Sequence, residues 1–212
     1  MAGGAGAGAG CAAEQQVPFT RADRPALDRQ DGVEEVTIRK CTDDDLDALY
    51  RIINDAAQAY KGIIPDDRWH EPYMPMQELQ QQRRERVEFW GYESDGELIG
   101  VMGFQDKGEV NLIRHAYVAS KLRNQGVGTT LLRHLEQMTS KPILIGTWAD
   151  AGWAIRFYEK NGYRLLLRAD ADRLLRKYWS IPDRQVAASV VLANTAWDAT
   201  SRLDAALASS PH

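Results

Sequence analysis

The feature that most constrains the fold of this chain is an apolar strand pattern that passes through a short glycine-containing turn into an amphipathic helix. Residues 110–118 are mostly apolar and predict a strand. After the turn, apolar side chains recur at helical spacing and predict a helix with one buried face: Val127, Leu131, Leu135 and Met138. The helix therefore begins directly at the glycines.

The turn has the composition of an anion-binding site. Residues 121–132 place Gly126 and Gly128 at the start of the predicted helix. The first amides of a helix have no internal partners, and the helix dipole is positive there. Because glycine has no Cβ, a phosphate group can approach this backbone closely. The turn therefore predicts a phosphorylated small-molecule ligand.

Two common phosphate-binding loops do not match this turn. A P-loop requires glycine, four residues and then Gly-Lys-Ser/Thr, and the sequence contains no such string. The dinucleotide fingerprint requires a third glycine at the position of Leu131. The pattern that remains is Arg123-x-x-Gly126-x-Gly128. By itself this pattern is also compatible with an ordinary strand-to-helix turn.

A second motif follows the next predicted strand. Residues 154–164 read Ala-Ile-Arg-Phe-Tyr-Glu-Lys-Asn-Gly-Tyr-Arg. Phe157 and Tyr158 lie on an apolar helical face, and Asn161-Gly162 is a helix stop. Together the two motifs resemble the signatures of the GNAT acetyltransferase superfamily, which are a pyrophosphate loop and a later helix ending in Phe-Tyr-Glu-Lys.

The order of predicted elements agrees with that resemblance. We predict a strand, two helices and three antiparallel strands, followed by helix, strand, helix and two strands, with a further helix at 169–177. The resemblance implies an α+β (mixed α/β) fold, in which a mostly antiparallel mixed sheet is splayed at its centre and flanked by helices. The predicted organisation is a flexible Gly/Ala-rich tail at 1–32, an N-acetyltransferase (GNAT) domain at 33–194 and a C-terminal tail at 195–212.

Composition argues against several other classes of protein. The net charge of −4 does not indicate nucleic-acid binding. No apolar run approaches the ~20 residues of a membrane span. Cys11 and Cys41 form no paired motif, and the four histidines are scattered. We therefore expect a cytoplasmic protein with no metal, no nucleic-acid partner and no membrane partner, and a homodimer is left open.

The resemblance implies that the phosphorylated ligand is the co-substrate acetyl-coenzyme A. It implies binding by a backbone amide near Val118 and by the loop residues Arg123, Asn124, Gln125, Gly126, Val127, Gly128 and Thr129. It also implies that Tyr158 is the general acid, because a phenol with a pKa of about 10 stays protonated at neutral pH and can protonate the leaving thiolate. Without the motif, the favoured interpretation of Tyr158 is a core residue packed with Phe157 and Trp153.

The attacking amine has to be neutral, so a base or a water chain is required. His115 is the candidate base, because it lies on the central strand and histidine titrates near neutral pH. Arg114 and His115 point to opposite faces of this strand unless a bulge intervenes. A structural role for His115 is the alternative. One position departs from the family, since Ala151 stands where many members carry an asparagine near the co-substrate.

The acceptor is the least constrained part of the prediction. The resemblance implies that residues 60–76 and 176–184 shape its pocket. The walls of the pocket could be formed by aromatic and sulfur-containing side chains, namely Tyr60, Trp69, Tyr73, Met74 and Met76. A cationic amine could be held by Asp66, Asp67 and Glu71. A carboxylate could be held by Lys61, Arg68, Lys177 and Arg184. The leading prediction is an N-acetyltransferase acting on a primary amine, either a small molecule or a peptide N-terminus. The alternatives are transfer of another acyl group and a coenzyme-A-binding sensor or scaffold without turnover.

Overall fold

The computed structural model describes residues 35–198 of the 212-residue chain. The predicted tail at 1–32 and the predicted C-terminal tail from residue 199 onward lie outside the described residues. Seven strands within the described range form one sheet: β1 (Val36–Lys40), β2 (Glu88–Ser94), β3 (Glu97–Asp106), β4 (Asn111–Val118), β5 (Ile143–Trp148), β6 (Arg164–Leu165) and β7 (Ser189–Ala193). The helices are α1 (Leu46–Ala57), α2 (Met76–Arg84), α3 (Val127–Gln137), α4 (Gly152–Lys160), α5 (Arg168–Tyr178) and α6 (Asp183–Ala187).

The sheet is mixed and mostly antiparallel. Its strand order is β1-β2-β3-β4-β5-β7-β6, and β4 and β5 are its parallel pair. These two strands pair only where residues 111–113 lie beside residues 143–145. Beyond that point the rest of β4 has no strand partner on this side within the described range. The sheet therefore splays open between β4 and β5, which confirms the predicted fold class.

Helices cover both faces of the sheet and bury its apolar side chains. On one face, α3 packs through Leu131 and Leu135 against Met102 of β3 and Ile113 of β4. On the other face, α1 and α2 cover β2 and β3, while α5 covers β5 and β7. The cavity described below therefore opens within a well-packed framework.

A β-bulge interrupts the pairing of β3 with β4. Arg114 pairs with Gly103 and Tyr117 pairs with Val101, so β4 has one residue more than β3 across this interval. His115, the first of the two β4 residues between these pairs, has a left-handed backbone with a φ of 50°. A bulge of this kind breaks the alternation of side chains along the strand.

The bulge brings Arg114 and His115 to the same face of the sheet. The Arg114 guanidinium donates from Nη1 to Oε1 of Gln105 at 3.1 Å, and the Gln105 amide donates to the backbone oxygen of Glu85 at the end of α2. The His115 ring lies 3.2 Å from Oε1 of Gln82 on α2. The two residues therefore both face α2. Without a bulge, consecutive strand residues would point to opposite faces of the sheet.

The helix boundaries follow local signals, with two differences from expectation. Thr42 and Asp45 form a capping box before α1. Met138 was expected on the buried face of α3, but it lies just beyond the helix and is 43% exposed. α6 was not predicted, because five residues after Pro182 are too few to show an apolar period. Trp197, from the start of the predicted C-terminal tail, packs against the α5 side of the core.

Candidate active site

A cavity of about 640 Å³ opens where β4 and β5 diverge. Its walls come from β4, β5, the start of α3, the inner side of α4 and aromatic residues beside α1 and α2. Most of the predicted site residues line it: His115, Val118, Arg123, Asn124, Gly126, Val127, Gly128, Thr129 and Tyr158. Gln125 does not line the cavity and is exposed in the loop.

The N-terminus of α3 supplies backbone donors to one end of this cavity. Gly126 is the N-cap, and no side chain in the described part of the chain caps the helix. The N–H of Thr130 donates to the oxygen of Gly126 at 2.9 Å, which is the first bond of the helix. The N–H groups of residues 127–129 therefore have no partner inside the helix. With the positive end of the helix dipole they form a site suited to a diphosphate.

The two glycines of the loop are required for different reasons. Gly126 has a φ of 87°, and a Cβ there would meet nothing within 4 Å. Glycine is therefore needed at 126 for its left-handed backbone. A Cβ on Gly128 would lie 3.3 Å from Cζ of Phe157. Glycine at 128 therefore allows α3 and α4 to pack closely beside the cavity.

The loop before α3 is tied to the C-terminal end of α1 by contacts that no sequence motif indicated. Asp55 accepts hydrogen bonds from the backbone N–H and the hydroxyl of Ser120, at 2.6 and 2.8 Å. Arg123 donates from Nη2 to the backbone oxygen of Ala56 at 3.0 Å. Because a guanidinium has five N–H donors, the remaining donors of Arg123 are available at the cavity.

Tyr158 of α4 reaches the cavity from a buried position. Its side chain is 6% exposed, and its ring packs edge-on against Phe157 and Tyr163. Burial raises the pKa of its phenol well above the usual value, so the hydroxyl is protonated throughout the neutral range. No described residue accepts a hydrogen bond from this hydroxyl, which leaves its proton available to a bound molecule.

Val118 presents its backbone N–H to the splayed side of β4. The N–H of Ala119 donates to the oxygen of Ile99 in β3 at 2.9 Å. Successive residues of an antiparallel strand direct their N–H groups to alternate sides, so the N–H of Val118 points away from β3. On that side β4 has already lost its pairing with β5. A fixed backbone donor therefore faces the cavity.

Arg114 and His115 line the cavity on the side of α2. Burial and the charge of Arg114 lower the pKa of His115 to about 3, so its imidazole is neutral at physiological pH. The contact between Nε2 and the carbonyl oxygen of Gln82 fits an Nε2–H donor, which leaves Nδ1 as the acceptor. Burial also lowers the pKa of the Arg114 guanidinium.

The predicted acceptor segments contribute aromatic rings to the cavity rather than charges. Tyr60 and Tyr73 line it, with the Tyr60 ring 5.3 Å from that of Trp153. Met74 is buried in the core instead. The charged residues expected there form surface ion pairs: Lys61 with Glu71, Arg68 with Asp67, Arg184 with Asp67 and Lys177 with Glu109. Arg114 also lines the cavity, and it was not predicted as an acceptor residue, because a polar residue on a central strand carries no signal of what it faces.

The position that departs from the family pattern, Ala151, is fully buried at the N-cap of α4. Its methyl group offers no polar contact to a ligand. An amide side chain lines the cavity from Asn161 instead, with its Nδ2 held by the backbone oxygen of Phe157 at 2.8 Å. A polar side chain therefore lines the cavity at the other end of α4.

Other kinds of site are not formed within residues 35–198. This range holds no cluster of three or more His, Cys, Asp or Glu residues placed to bind a metal ion. Cys41 is buried, and burial raises the pKa of its thiol to about 12, which makes it a poor nucleophile. In the same range no helix has the length and apolarity needed to cross a membrane.

The splayed mixed sheet has the architecture of acetyltransferases of the GNAT fold. The model of the acetyltransferase (GNAT) family matches residues 46–163. This match covers more than half of the sequence, and the chain belongs to the GNAT family. It is therefore an enzyme of the N-acetyltransferase type that takes acetyl groups from acetyl-coenzyme A. A search of curated protein sequences found no match.

Solved structures share the fold. The PaiA N-acetyltransferase from Thermoplasma acidophilum, in complex with coenzyme A, has a TM-score of 0.58 and 18% identity over 76% of this chain and 98% of its own. An acetyltransferase of the GNAT family from Staphylococcus aureus has a TM-score of 0.56 and 17% identity, with coverage of 76% and 98%. The ribosomal-protein-S18-alanine N-acetyltransferase from Escherichia coli has a TM-score of 0.54 and 19% identity, with coverage of 76% and 93%. At these identities the similarity concerns the fold alone.

Proposed function

We propose that this protein transfers an acetyl group from acetyl-coenzyme A to a primary amine by direct nucleophilic attack, with Tyr158 as the general acid. The observation that carries the proposal is the meeting of three donors at one cavity: the amides at the start of α3, the N–H of Val118 and the hydroxyl of Tyr158. The acceptor is either a small-molecule amine or a peptide N-terminus.

The loop before α3 fits the diphosphate of acetyl-coenzyme A. The N–H groups of residues 127–129 have no helix partners, and Gly126 leaves the backbone uncovered. Phosphate oxygens can therefore accept several hydrogen bonds at once. Arg123 adds positive charge through the donors that Ala56 does not use, and Asn124 and Gln125 complete the exposed rim of the loop.

The groups proposed to act on the thioester are the N–H of Val118 and the hydroxyl of Tyr158, which belong to residues lining the same cavity. Acetyl-coenzyme A supplies a thioester whose carbonyl carbon is attacked by the amine. Negative charge develops on the carbonyl oxygen, and the N–H of Val118 is a fixed donor that can stabilise it. As the carbon–sulfur bond breaks, the Tyr158 hydroxyl donates its proton to the departing sulfur. The raised pKa of Tyr158 ensures that this proton is present.

His115 is proposed as the base that accepts the proton of the attacking amine. A pKa of about 3 keeps the imidazole unprotonated at neutral pH, and Nδ1 is free to accept when Nε2 donates to Gln82. The same low pKa makes the ring a weak base, because efficient bases titrate near the working pH. A base role for His115 therefore requires that the ring pass the proton on to solvent.

A coenzyme-A-binding sensor without turnover is the second candidate function. Ala151 favours it, because that position offers no polar group to the co-substrate. Both candidates predict that acetyl-coenzyme A raises the melting temperature by mass action. Only the enzyme releases free thiol when it is supplied with amines. Transfer of a longer acyl group is distinguished by supplying other acyl-coenzyme A thioesters to the same assay.

The variant Tyr158→Phe tests the assignment of the general acid. The ring packing is kept and the proton is lost, so kcat should fall by about 100-fold or more while acetyl-coenzyme A binding changes little. Tyr163→Phe is the matched control, because Tyr163 is equally buried at 3% exposed and does not line the cavity. A normal kcat for Tyr158→Phe would exclude the acid role.

Thermal stabilisation of the wild type by acetyl-coenzyme A without thiol release from any amine would favour the sensor. No stabilisation at all would reject both functions.

A further inference from the structure

The charged side chains that line the cavity are all basic. Arg114, Arg123 and Lys160 belong to the lining, and no Asp or Glu from residues 35–198 does. Arg123 lies in the loop before α3, and Lys160 lies on α4 near Phe157, which packs beside Gly128. These two cations are close to the amides assigned to the diphosphate. Arg114 is the cation that this assignment leaves unexplained.

Arg114 is a largely buried cation that no carboxylate in the described part of the chain contacts. Its hydrogen bond to the amide oxygen of Gln105 uses one of five N–H donors. Glu78 and Glu85 influence its pKa only through longer-range charge, and the Glu85 carboxylate accepts a hydrogen bond from Gln81 at 2.9 Å. A buried charge without a partner is costly. The unused N–H donors of Arg114 can therefore bind an anion in the cavity.

The position of Arg114 separates it from the diphosphate site. Arg114 precedes Val118 by four residues on β4, and the bulge lies between them. The Cα atoms of the two residues are therefore separated by roughly 10 to 13 Å of extended chain, in the direction away from the loop before α3. The neighbours of Arg114 at the cavity are His115 and Tyr117 of β4. Its guanidinium is held by Gln105, which pairs with Leu112 and therefore lies farther from Val118 than Arg114 itself does. An acceptor group that meets Arg114 therefore lies several bonds from the attacked amine.

We propose that the acceptor is a small amine that also carries a carboxylate, and that Arg114 binds this carboxylate. The inference rests on the proposed function and specifies its substrate class. A planar guanidinium binds a carboxylate through two parallel N–H donors. The aromatic rings of Tyr60, Tyr73 and Tyr117 supply an apolar wall beside it. The same lining disfavours polyamines, because their additional ammonium groups meet no acidic side chain there.

The test uses pairs of acceptors that differ only in the carboxylate. Glycine, β-alanine, 4-aminobutanoate and 5-aminopentanoate are each compared with the corresponding carboxamide, and kcat/KM is measured by thiol release from acetyl-coenzyme A. At the optimal chain length the carboxylate should be preferred by about ten- to hundredfold, the range expected for a charge-assisted bidentate contact. The optimal length reports the distance between the attacked amine and Arg114.

Variants of Arg114 connect this preference to the guanidinium. In Arg114→Gln the ratio of the two kcat/KM values should fall toward one, mainly through a higher KM for the carboxylate. Arg114→Lys should keep part of the preference, since the charge remains without the bidentate geometry. Arg51→Gln is the matched control, because Arg51 is exposed on α1 and outside the cavity. Thermal stabilisation by acetyl-coenzyme A verifies that each variant is folded.

Failure of this inference is distinguishable from failure of the proposed function. Equal turnover of carboxylates and carboxamides by the wild type, or an unchanged ratio in a folded Arg114→Gln, overturns the carboxylate site while acetyl transfer stands. If no amine releases thiol, binding is read directly by thermal shift with the same pairs. Stabilisation by carboxylates alone then supports the Arg114 site and rejects turnover. Absence of any such difference rejects the site.

Discussion

Replacing Gly126 with alanine tests whether the backbone at the start of α3 holds the phosphate groups. Gly126 has a φ of 87°, and the position of a Cβ there is free of neighbours within 4 Å. The methyl group of alanine therefore meets no steric obstacle, and the penalty is purely conformational. A left-handed backbone costs an L-residue about 1–2 kcal/mol.

This penalty reduces either stability or ligand affinity. If the loop keeps its conformation, the free energy of unfolding falls by the full amount. If the loop relaxes, the amides of residues 127–129 move, and acetyl-coenzyme A has to restore them when it binds. Residues 123–126 are exposed, so few packing contacts oppose relaxation. We therefore expect acetyl-coenzyme A affinity to fall by about 5- to 30-fold, which corresponds to the same 1–2 kcal/mol.

Gly96→Ala is the matched control for this variant. Gly96 lies in the turn between β2 and β3 with a φ of 81° and also has nothing within 4 Å of its Cβ position. It should suffer the same conformational penalty, a drop in melting temperature of about 2–8 °C, with no loss of affinity. Melting temperatures measured over a range of acetyl-coenzyme A concentrations give both quantities.

One result would refute the reasoning about the loop. Gly126→Ala, and the more demanding Gly126→Val, would both keep the melting temperature of the wild type, which shows that the loop has relaxed, and would still bind acetyl-coenzyme A as the wild type does, while Gly96→Ala lost stability as expected. The amides at the start of α3 would then not be the phosphate-binding element. The proposal for the donor half of the site would have to be abandoned.

Three further predictions concern single residues. Arg123→Gln should raise the Kd for acetyl-coenzyme A more than it slows the chemical step, and equal effects in ligand titration and single-turnover kinetics would contradict this. His115→Gln should lower kcat by about 100-fold if the ring relays the amine proton, and an unchanged kcat across the neutral pH range would exclude that role. Arg39 lowers the pKa of Asp45 from 3.8 to about 2, chiefly by side-chain hydrogen bonds. Because the folded-state pKa is the lower one, up to about 1 kcal/mol of stability, after a discount for solvent screening of this partly exposed pair, is present above pH ~4 and lost as the pH falls toward 2. Urea unfolding of Asp45→Asn should lack this pH dependence.

Much of the fold was predictable because its signals are local. The Asp45 capping box, the helix stop at Gly162 and the apolar period from Val127 to Leu135 each depend on residues within a few positions of one another. The same holds for the glycine loop, whose resemblance to a known family identified the co-substrate. Met138 and α6 were misjudged at helix boundaries, where apolar spacing is least informative.

Only the donor side of the proposed site carried signals in the sequence. The ties from Asp55 to Ser120 and from Arg123 to Ala56 join segments far apart in the sequence, so no spacing rule could indicate them. The acceptor side depended on a bulge that brings Arg114 and His115 together on one face. A bulge arises from the pairing of two strands, and a single strand's sequence does not specify it.

The sequence by itself determined the family, the order of the elements and the loop that suits a diphosphate, because helix starts and glycine turns are set by neighbouring residues. The tertiary structure alone decided what surrounds the acceptor. The divergence of β4 from β5 created the cavity, the bulge turned two strand residues toward α2, burial made His115 neutral, and Arg114 was left without a charged partner among residues 35–198. Each of these effects comes from groups that are distant in the chain and meet only after folding, through strand pairing in the first two cases and through burial and packing in the others.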